Sequence, residues 1–227
     1  LGLPGQGSGQ DPEHIFATAV QLQQAGDLEG AVREYQAYLA LRPRRIEALS
    51  NLGAALAQLG RHQEAIEQYR KARALQPSNP QVRLNLALAY YKSAQMSRAA
   101  AELSNLVLLQ PKNIQAVLLL ADCYLAMEEN KKVIELLTPL QSAHSDDRAF
   151  LYMLGTALIR DGQIDRGQVL VDRILRQGES AEAHLMIGTV QLAAKDILAA
   201  RKELQRAAEM NSNLPYVHSF YGRALME

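Results

Sequence analysis

Seven small residues recur along this chain at steps of 33 or 34 residues, and this period constrains the fold more than any other feature. They are Ala19, Gly53, Ala87, Ala121, Gly155, Gly188 and Gly222. A fixed period of this length is typical of repeat proteins, in which each unit packs only on its neighbours. The chain is therefore predicted to be an array of similar units and not a domain built around one central core.

Each unit has the pattern of two helices joined by a tight turn. In the second unit, Leu49, Leu52 and Leu56 recur at helical spacing, and Gly60 follows them as a turn residue. Pro77 marks the end of the next helix, because proline cannot continue a helix. Two antiparallel helices approach closely only where one of them lacks bulk. Each small residue is therefore predicted to face a large Tyr or Leu of its partner helix.

The second unit resembles the tetratricopeptide repeat. The residues that carry the resemblance are Leu49, Leu52, Gly53, Leu56, Gly60, Ala65, Tyr69, Ala72 and Pro77. It extends over residues 12 to 227 and implies an all-α fold, a right-handed superhelical solenoid of helix-turn-helix repeats. The predicted repeats are 12–45, 46–79, 80–113, 114–147, 148–180 and 181–214, with a half repeat at 215–227, and residues 1–11 are predicted to be a flexible lead.

One unit departs from the pattern at Pro139. This proline lies inside the predicted second helix of the fourth unit, where it should kink that helix or end it early. The polar stretch from Ser142 to Arg148 follows directly. We interpret this stretch as an irregular turn between repeats, with a functional hinge as the alternative.

In the family that the chain resembles, the face of the first helices that points away from helix pairing lines a groove for peptides or helices. In the early units this face is polar. Asn51 and Asn85 occupy equivalent positions there, with Gln81 and Lys92 beside them. Amide side chains donate and accept hydrogen bonds, so this row is a candidate site for the backbone of an extended peptide.

In the later units the same face is predicted to carry an exposed, largely apolar row. The predicted partner-binding residues are Leu118, Leu119, Asp122, Tyr152, Met153, Thr156, Leu185, Met186, Thr189 and Phe220. An exposed apolar row is typical of an interaction site, and methionine adapts its shape to a partner. The alternatives are that a continuation of the chain beyond Glu227, or self-association with a second copy, covers the row.

Composition disfavours several other functions. Lys plus Arg and Asp plus Glu number 24 each, and the chain has three Phe, nine Tyr and no Trp. Nucleic-acid binding calls for a clustered basic surface, so nucleic acid is not a predicted partner. No apolar run reaches the roughly 20 residues that a membrane span needs. The Ala, Gln and Arg content suggests a bacterial gene, and the sequence leaves the compartment open.

The sequence contains none of the HExxH, paired CxxC or GxSxG motifs, so no catalytic residue, metal or cofactor is predicted. Cys123 is interpreted as a small packing residue. Family members that clamp a partner's C-terminal carboxylate carry Lys and Arg on the groove face beside two Asn. Here Asn51 and Asn85 are present without those cations, which argues against a clamp of this kind.

Two classes of function follow from the resemblance. The first is a protein–protein interaction scaffold that binds a peptide or helix of a partner in the concave groove and catalyses nothing. The second is the binding or regulatory arm of a larger enzyme, or of a bacterial export or assembly complex, of which this chain is a fragment.

Overall fold

The structure is a computed structural model that describes residues 11 to 227. Over this range the chain forms thirteen α-helices and one short 3-10 helix, with no strand. The helices are α1 (Pro12–Gln24), α2 (Leu28–Leu41), α3 (Ile46–Gln58), α4 (His62–Leu75), α5 (Pro80–Lys92), α6 (Met96–Leu109), α7 (Ile114–Ala126), α8 (Asn130–Leu137), α9 (Arg148–Arg160), α10 (Ile164–Arg176), α11 (Ala181–Ala193), α12 (Ile197–Met210) and α13 (Val217–Met226).

Short-range signals in the sequence account for many helix ends. Asp11, which the sequence assigned to the lead, caps α1 by accepting a hydrogen bond from the Glu13 N–H at 3.2 Å. Residues 1 to 10 of the predicted lead lie outside the described residues. At the other end of the helices, α2 and α4 stop two residues before Pro43 and Pro77. This agrees with the bias of the residue before a proline against helical backbone.

The turns within the units have left-handed backbone, and glycine occupies some of these turn positions. Gly60 and Gly162 have φ values of 76° and 83°, a conformation that costs glycine little because it has no Cβ. Where the corresponding turn has no glycine, Ala94, Glu128 and Lys195 take positive φ values of 56°, 59° and 62°. The repeat therefore keeps its turn geometry even where the residue does not favour it.

Gly53 and Gly188 face large side chains of their partner helices, as predicted, whereas the side chain nearest to Gly155 is Met186 of α11, which is not its partner helix. A Cβ on Gly53 would lie 2.7 Å from Cε1 of Tyr69, and a Cβ on Gly188 would lie 2.6 Å from Cγ of Leu204. Both distances are far below van der Waals contact. Only a residue without a side chain lets α3 approach α4, or α11 approach α12, this closely.

Pro139 ends a helix early, which confirms the prediction. Helix α8 spans only Asn130–Leu137, and a 3-10 helix at Thr138–Leu140 follows it. Residues 141 to 146 are turns. Asp147 then begins α9 as its cap, accepting a hydrogen bond from the Phe150 N–H at 3.1 Å.

The described chain divides into two compact units. The first ends at Ala116, and the second spans Val117–Glu227. The first contains α1 to α6 with the beginning of α7, and the second contains the rest of α7 and α8 to α13. No helix among the described residues is long and apolar enough to cross a membrane.

A buried carboxylate connects three helices of the first unit. Glu102 on α6 is 5% exposed and forms ion pairs with Arg73 on α4 and with Arg83 on α5, the latter at 2.8 Å. We expect Glu102→Gln to lower the free energy of unfolding by about 1 kcal/mol, because both guanidinium groups lose their anion while the side chain keeps its shape. Urea unfolding measures this, with the exposed Glu67→Gln on α4 as the control. Equal effects of the two substitutions would contradict the assignment.

Candidate functional site

In the first unit, the predicted polar row lies on the surface of α3 and α5. Gln81 and Lys92 are exposed, and Asn51 and Asn85 are half-buried. The Gln81 Nε2 group donates a hydrogen bond to Oδ1 of Asn85 at 2.9 Å. Burial raises the pKa of Tyr35, and a hydrogen bond with Asn51 partly offsets this. The amide groups of this row are thus partly engaged with their own neighbours.

In the second unit, the structure contradicts the predicted exposed row. Tyr152, Thr156, Leu185 and Met186 are buried, with exposed fractions of 7%, 7%, 2% and 1%. The remaining predicted residues are half-buried, namely Leu118, Leu119, Asp122, Met153, Thr189 and Phe220. The row is therefore mainly a layer of packed side chains and not a free apolar surface.

The packing of Met186 gives the physical reason. Its Cε atom occupies the space that a Cβ on Gly155 would need. Gly155 thus opens a gap on α9 that a side chain of α11, the first helix of the next unit, fills. Reasoning from a single helix wheel assigned Met186 to the surface, because it considered only the contact within each helix pair. The contact between α9 and α11 is a second burial face.

Six of the predicted residues do come together, with two residues that the prediction did not include. Tyr152, Thr156, Leu185, Met186, Thr189 and Phe220 line one narrow space together with Ile159 and Arg160. The space does not admit a water molecule. These eight residues therefore form a packed layer and not an opening.

Arg160 is the chemically distinctive side chain of this region. Its guanidinium carbon lies 4.5 Å from the ring centre of Tyr216 and 5.1 Å from that of Phe220, within the range of cation–π attraction. Nη1 donates a long hydrogen bond of 3.5 Å to the Leu125 carbonyl at the end of α7. Nε is buried and has no hydrogen-bond partner. The guanidinium is thus held by two rings, and it pairs with no carboxylate among residues 11 to 227.

An unusual backbone conformation positions one of the two rings. Tyr216 precedes α13 with φ 67° and ψ −5°. This left-handed conformation is uncommon outside glycine and is found mainly where the surrounding structure constrains the backbone. The Tyr152 hydroxyl donates a hydrogen bond of 3.5 Å to the carbonyl of Pro215, beside this residue. Burial raises the pKa of both phenols, and the charge of Asp122 raises it further while Arg160 opposes the shift.

An open groove of about 690 Å³ shares Ile159, Arg160, Thr189 and Phe220 with the packed layer. Its walls come from the end of α7, the start of α8, the ends of α9 and α11, and α13. The lining residues that matter below are Leu125, Arg160, Leu192, Ser219 and Phe220. We name it the Arg160 groove. A volume of several hundred Å³ with a few polar groups among apolar walls is typical of binding sites.

Of the groove residues, sequence reasoning found Thr189 and Phe220 and missed Arg160 and Tyr216. A signal for Arg160 existed, because it stands five positions after Gly155 and this column points to the groove face by its spacing. Tyr216 gave no signal. Its ring reaches Arg160 only through the left-handed turn, which no spacing rule predicts.

The thiol of Cys123 is not suited to nucleophilic chemistry. Burial, followed by the charge of Asp122, raises the pKa of the Cys123 thiol to about 12, so at neutral pH it is not a thiolate nucleophile. Among residues 11 to 227 no group of three or more His, Cys, Asp or Glu side chains is arranged to hold a metal ion. The Arg160 groove offers two arginines, the acidic Glu128 and apolar side chains, which are groups that bind.

Comparison with known families identifies the repeat. A family model described as TPR repeat matches residues 55–93, and one described as tetratricopeptide repeat matches residues 152–215. The chain contains tetratricopeptide repeats. The two matches lie in different compact units, so each unit contains recognisable repeats of this type. Tetratricopeptide repeats bind other proteins, and in general terms the chain is a protein-interaction scaffold.

Solved tetratricopeptide repeat structures share the fold. The crystal structure of MamA is 22% identical, with 73% of this chain and 90% of that chain covered and a TM-score of 0.67. PilF of Pseudomonas aeruginosa is 16% identical, with 93% and 97% covered and a TM-score of 0.61. YrrB, described as a TPR protein with an unusual peptide-binding site, is 15% identical, with 85% and 98% covered and a TM-score of 0.63.

At these identities the likenesses establish the fold alone. They confirm the all-α solenoid that the period and the repeat pattern predicted. A comparison with curated proteins found no significant match.

Proposed function

We propose that this protein holds a segment of a partner protein in the Arg160 groove and acts as a scaffold without catalysis. The observation that carries the proposal is the groove itself, about 690 Å³ of open space with Arg160 among its lining residues. Four of its lining residues also belong to the packed layer, and side chains that are already packed lose little entropy when a partner docks. The half-buried Thr189 and Phe220 are part of this proposed contact.

We propose the polar row of the first unit as a separate, weaker contact. Asn85 accepts from Gln81 and keeps its own amide donors for a partner, and Lys92 is exposed beside them. An extended peptide backbone offers the matching acceptors and donors. Binding there would be insensitive to the partner's side chains.

A groove-filling substitution tests the main proposal. Ser219 is exposed and lines the groove, so Ser219→Trp places a bulky ring in the space without removing a buried contact. We expect peptides selected from a displayed library on the wild-type protein to bind this variant at least about tenfold more weakly, as measured by fluorescence anisotropy. The control is Gln205→Trp, because Gln205 is exposed on α12 and does not line the groove.

Two results would count against the groove. Selected peptides that bind Ser219→Trp and the wild type equally would place the contact elsewhere, and so would peptides that lose affinity equally for both tryptophan variants. Circular dichroism of the two variants should match the wild type, because both positions are exposed.

A further inference from the structure

We propose that the Arg160 groove recognises a partner segment in which one acidic side chain, Asp or Glu, is adjacent to an aliphatic residue. The inference rests on the proposed function and names the chemistry of the segment. Its basis is a guanidinium that lies against two aromatic rings, pairs with no carboxylate within residues 11 to 227 and lines a groove together with apolar side chains.

The first step concerns the charge on Arg160. Guanidinium groups in the interior of proteins are normally paired with carboxylates, since an unpaired buried charge is costly. Arg160 takes part in none of the ion pairs formed within residues 11 to 227, where the nearest pairs along the chain join Lys132 to Glu129 and His184 to Glu179. Its acceptors there are the Leu125 carbonyl at 3.5 Å and the Tyr216 hydroxyl, and neither of them is an anion. A ligand carboxylate would supply the missing anion.

The second step concerns the direction from which a ligand group approaches the Arg160 guanidinium. Tyr216 and Phe220 hold the guanidinium by cation–π contact, with its central carbon 4.5 Å and 5.1 Å from their ring centres. The N–H groups of a guanidinium point outward in its plane, so a hydrogen-bonding partner approaches in that plane. A carboxylate accepts hydrogen bonds from guanidinium in this in-plane geometry, and such charge-assisted bonds are about twice as strong as neutral ones. A ligand cation or aromatic ring would find no such partner at the edge.

The third step concerns the rest of the segment. Leu125, Leu192 and Phe220 form the apolar part of the lining, which suits an aliphatic side chain next to the acidic one. Glu128 also lines the groove, so a second acidic residue in the segment is disfavoured.

Paired peptide pools test the inference. One pool of short fluorescent peptides has a fixed central Glu-Leu and uncharged random flanks, and the other has Gln-Leu in the same context. We expect the wild-type protein to bind the Glu-Leu pool at least about tenfold more tightly. Raising NaCl from about 0.05 to about 0.5 M should weaken only the binding of the Glu-Leu pool.

Variants of the two groove arginines assign the effect to one side chain. Arg160→Gln should bind both pools equally, whereas Arg223→Gln, which changes an exposed arginine of the same groove, should keep the preference within about threefold. If Arg160→Gln loosens α13, as hydrogen exchange would reveal, Arg160→Lys takes its place. Lysine keeps the charge but lacks the planar edge, so the preference should fall by more than half.

The outcomes separate this inference from the proposed function. Equal binding of the two pools by the wild type, or a preference that survives in Arg160→Gln, overturns the acidic segment. If Ser219→Trp still blocks binding in that case, the groove stands and only its chemistry was misassigned. If Ser219→Trp leaves all binding intact, the groove fails, and the inference fails with it.

Discussion

Met186→Ala is expected to lower the free energy of unfolding of the second unit by about 2 to 4 kcal/mol. Met186 is 1% exposed, and its methyl group fills the gap over Gly155. Truncation leaves a cavity between α9 and α11 that the helix backbones cannot close. The matched control is Met153→Ala, because Met153 stands in the equivalent column of the preceding unit and is only half-buried. Urea unfolding followed by circular dichroism measures both.

A second substitution makes this test specific. Gly155→Ala alone should destabilise the unit, because the new Cβ meets Cε of Met186. In the Met186→Ala background the same Cβ enters the cavity, so the two changes should couple by about 1 kcal/mol or more in a double-mutant cycle. Additive effects, or a Met186→Ala variant as stable as Met153→Ala, would mean that Met186 is not part of the core.

The same glycine-to-alanine change is expected to have opposite signs at two equivalent positions. Gly188→Ala should cost about 1 to 3 kcal/mol by overpacking, because the new Cβ would lie 2.6 Å from Cγ of the buried Leu204 and 3.3 Å from the Ala200 carbonyl oxygen. Gly222→Ala should gain about 0.5 to 1 kcal/mol. A Cβ at Gly222 meets no atom within 4 Å, and alanine favours the helix.

Thermal unfolding of the two alanine variants measures this difference directly. The prediction is a Tm below the wild type for Gly188→Ala and at or above it for Gly222→Ala. If both variants shift Tm in the same direction, contact with the partner helix is not what requires a small residue at these recurring positions.

The fold was predictable because the period repeats one local solution many times. The turn glycines, the prolines at helix ends and the recurring small residues all indicate the same pair of helices. A weak signal in one unit is therefore supported by a clear one in the next. Gly53 against Tyr69 and Gly188 against Leu204 are the expected contacts. Even the irregular unit was predictable, because Pro139 cannot continue α8.

The candidate site was only partly predictable, because it depends on contacts between units. Met186 and Leu185 belong to the correct face of α11, but the neighbouring α9 buries them. A helix wheel contains no information on which neighbour has a gap. Arg160 was accessible to the same reasoning that singled out Phe220, since both stand on the groove face. It was nevertheless not predicted, although Lys92, five positions after Ala87 in the equivalent column, was.

The buried thiol of Cys123 makes local opening of the structure around α7 measurable. Cys123 is the only cysteine of the chain and is fully buried, and its pKa of about 12 leaves almost no thiolate at neutral pH. A disulfide reagent such as Ellman's can therefore react only when α7 transiently separates from its neighbours. The rate of labelling then reports this opening without any engineered probe. A ligand that bridges the walls of the Arg160 groove should slow it, because one wall is the end of the same helix.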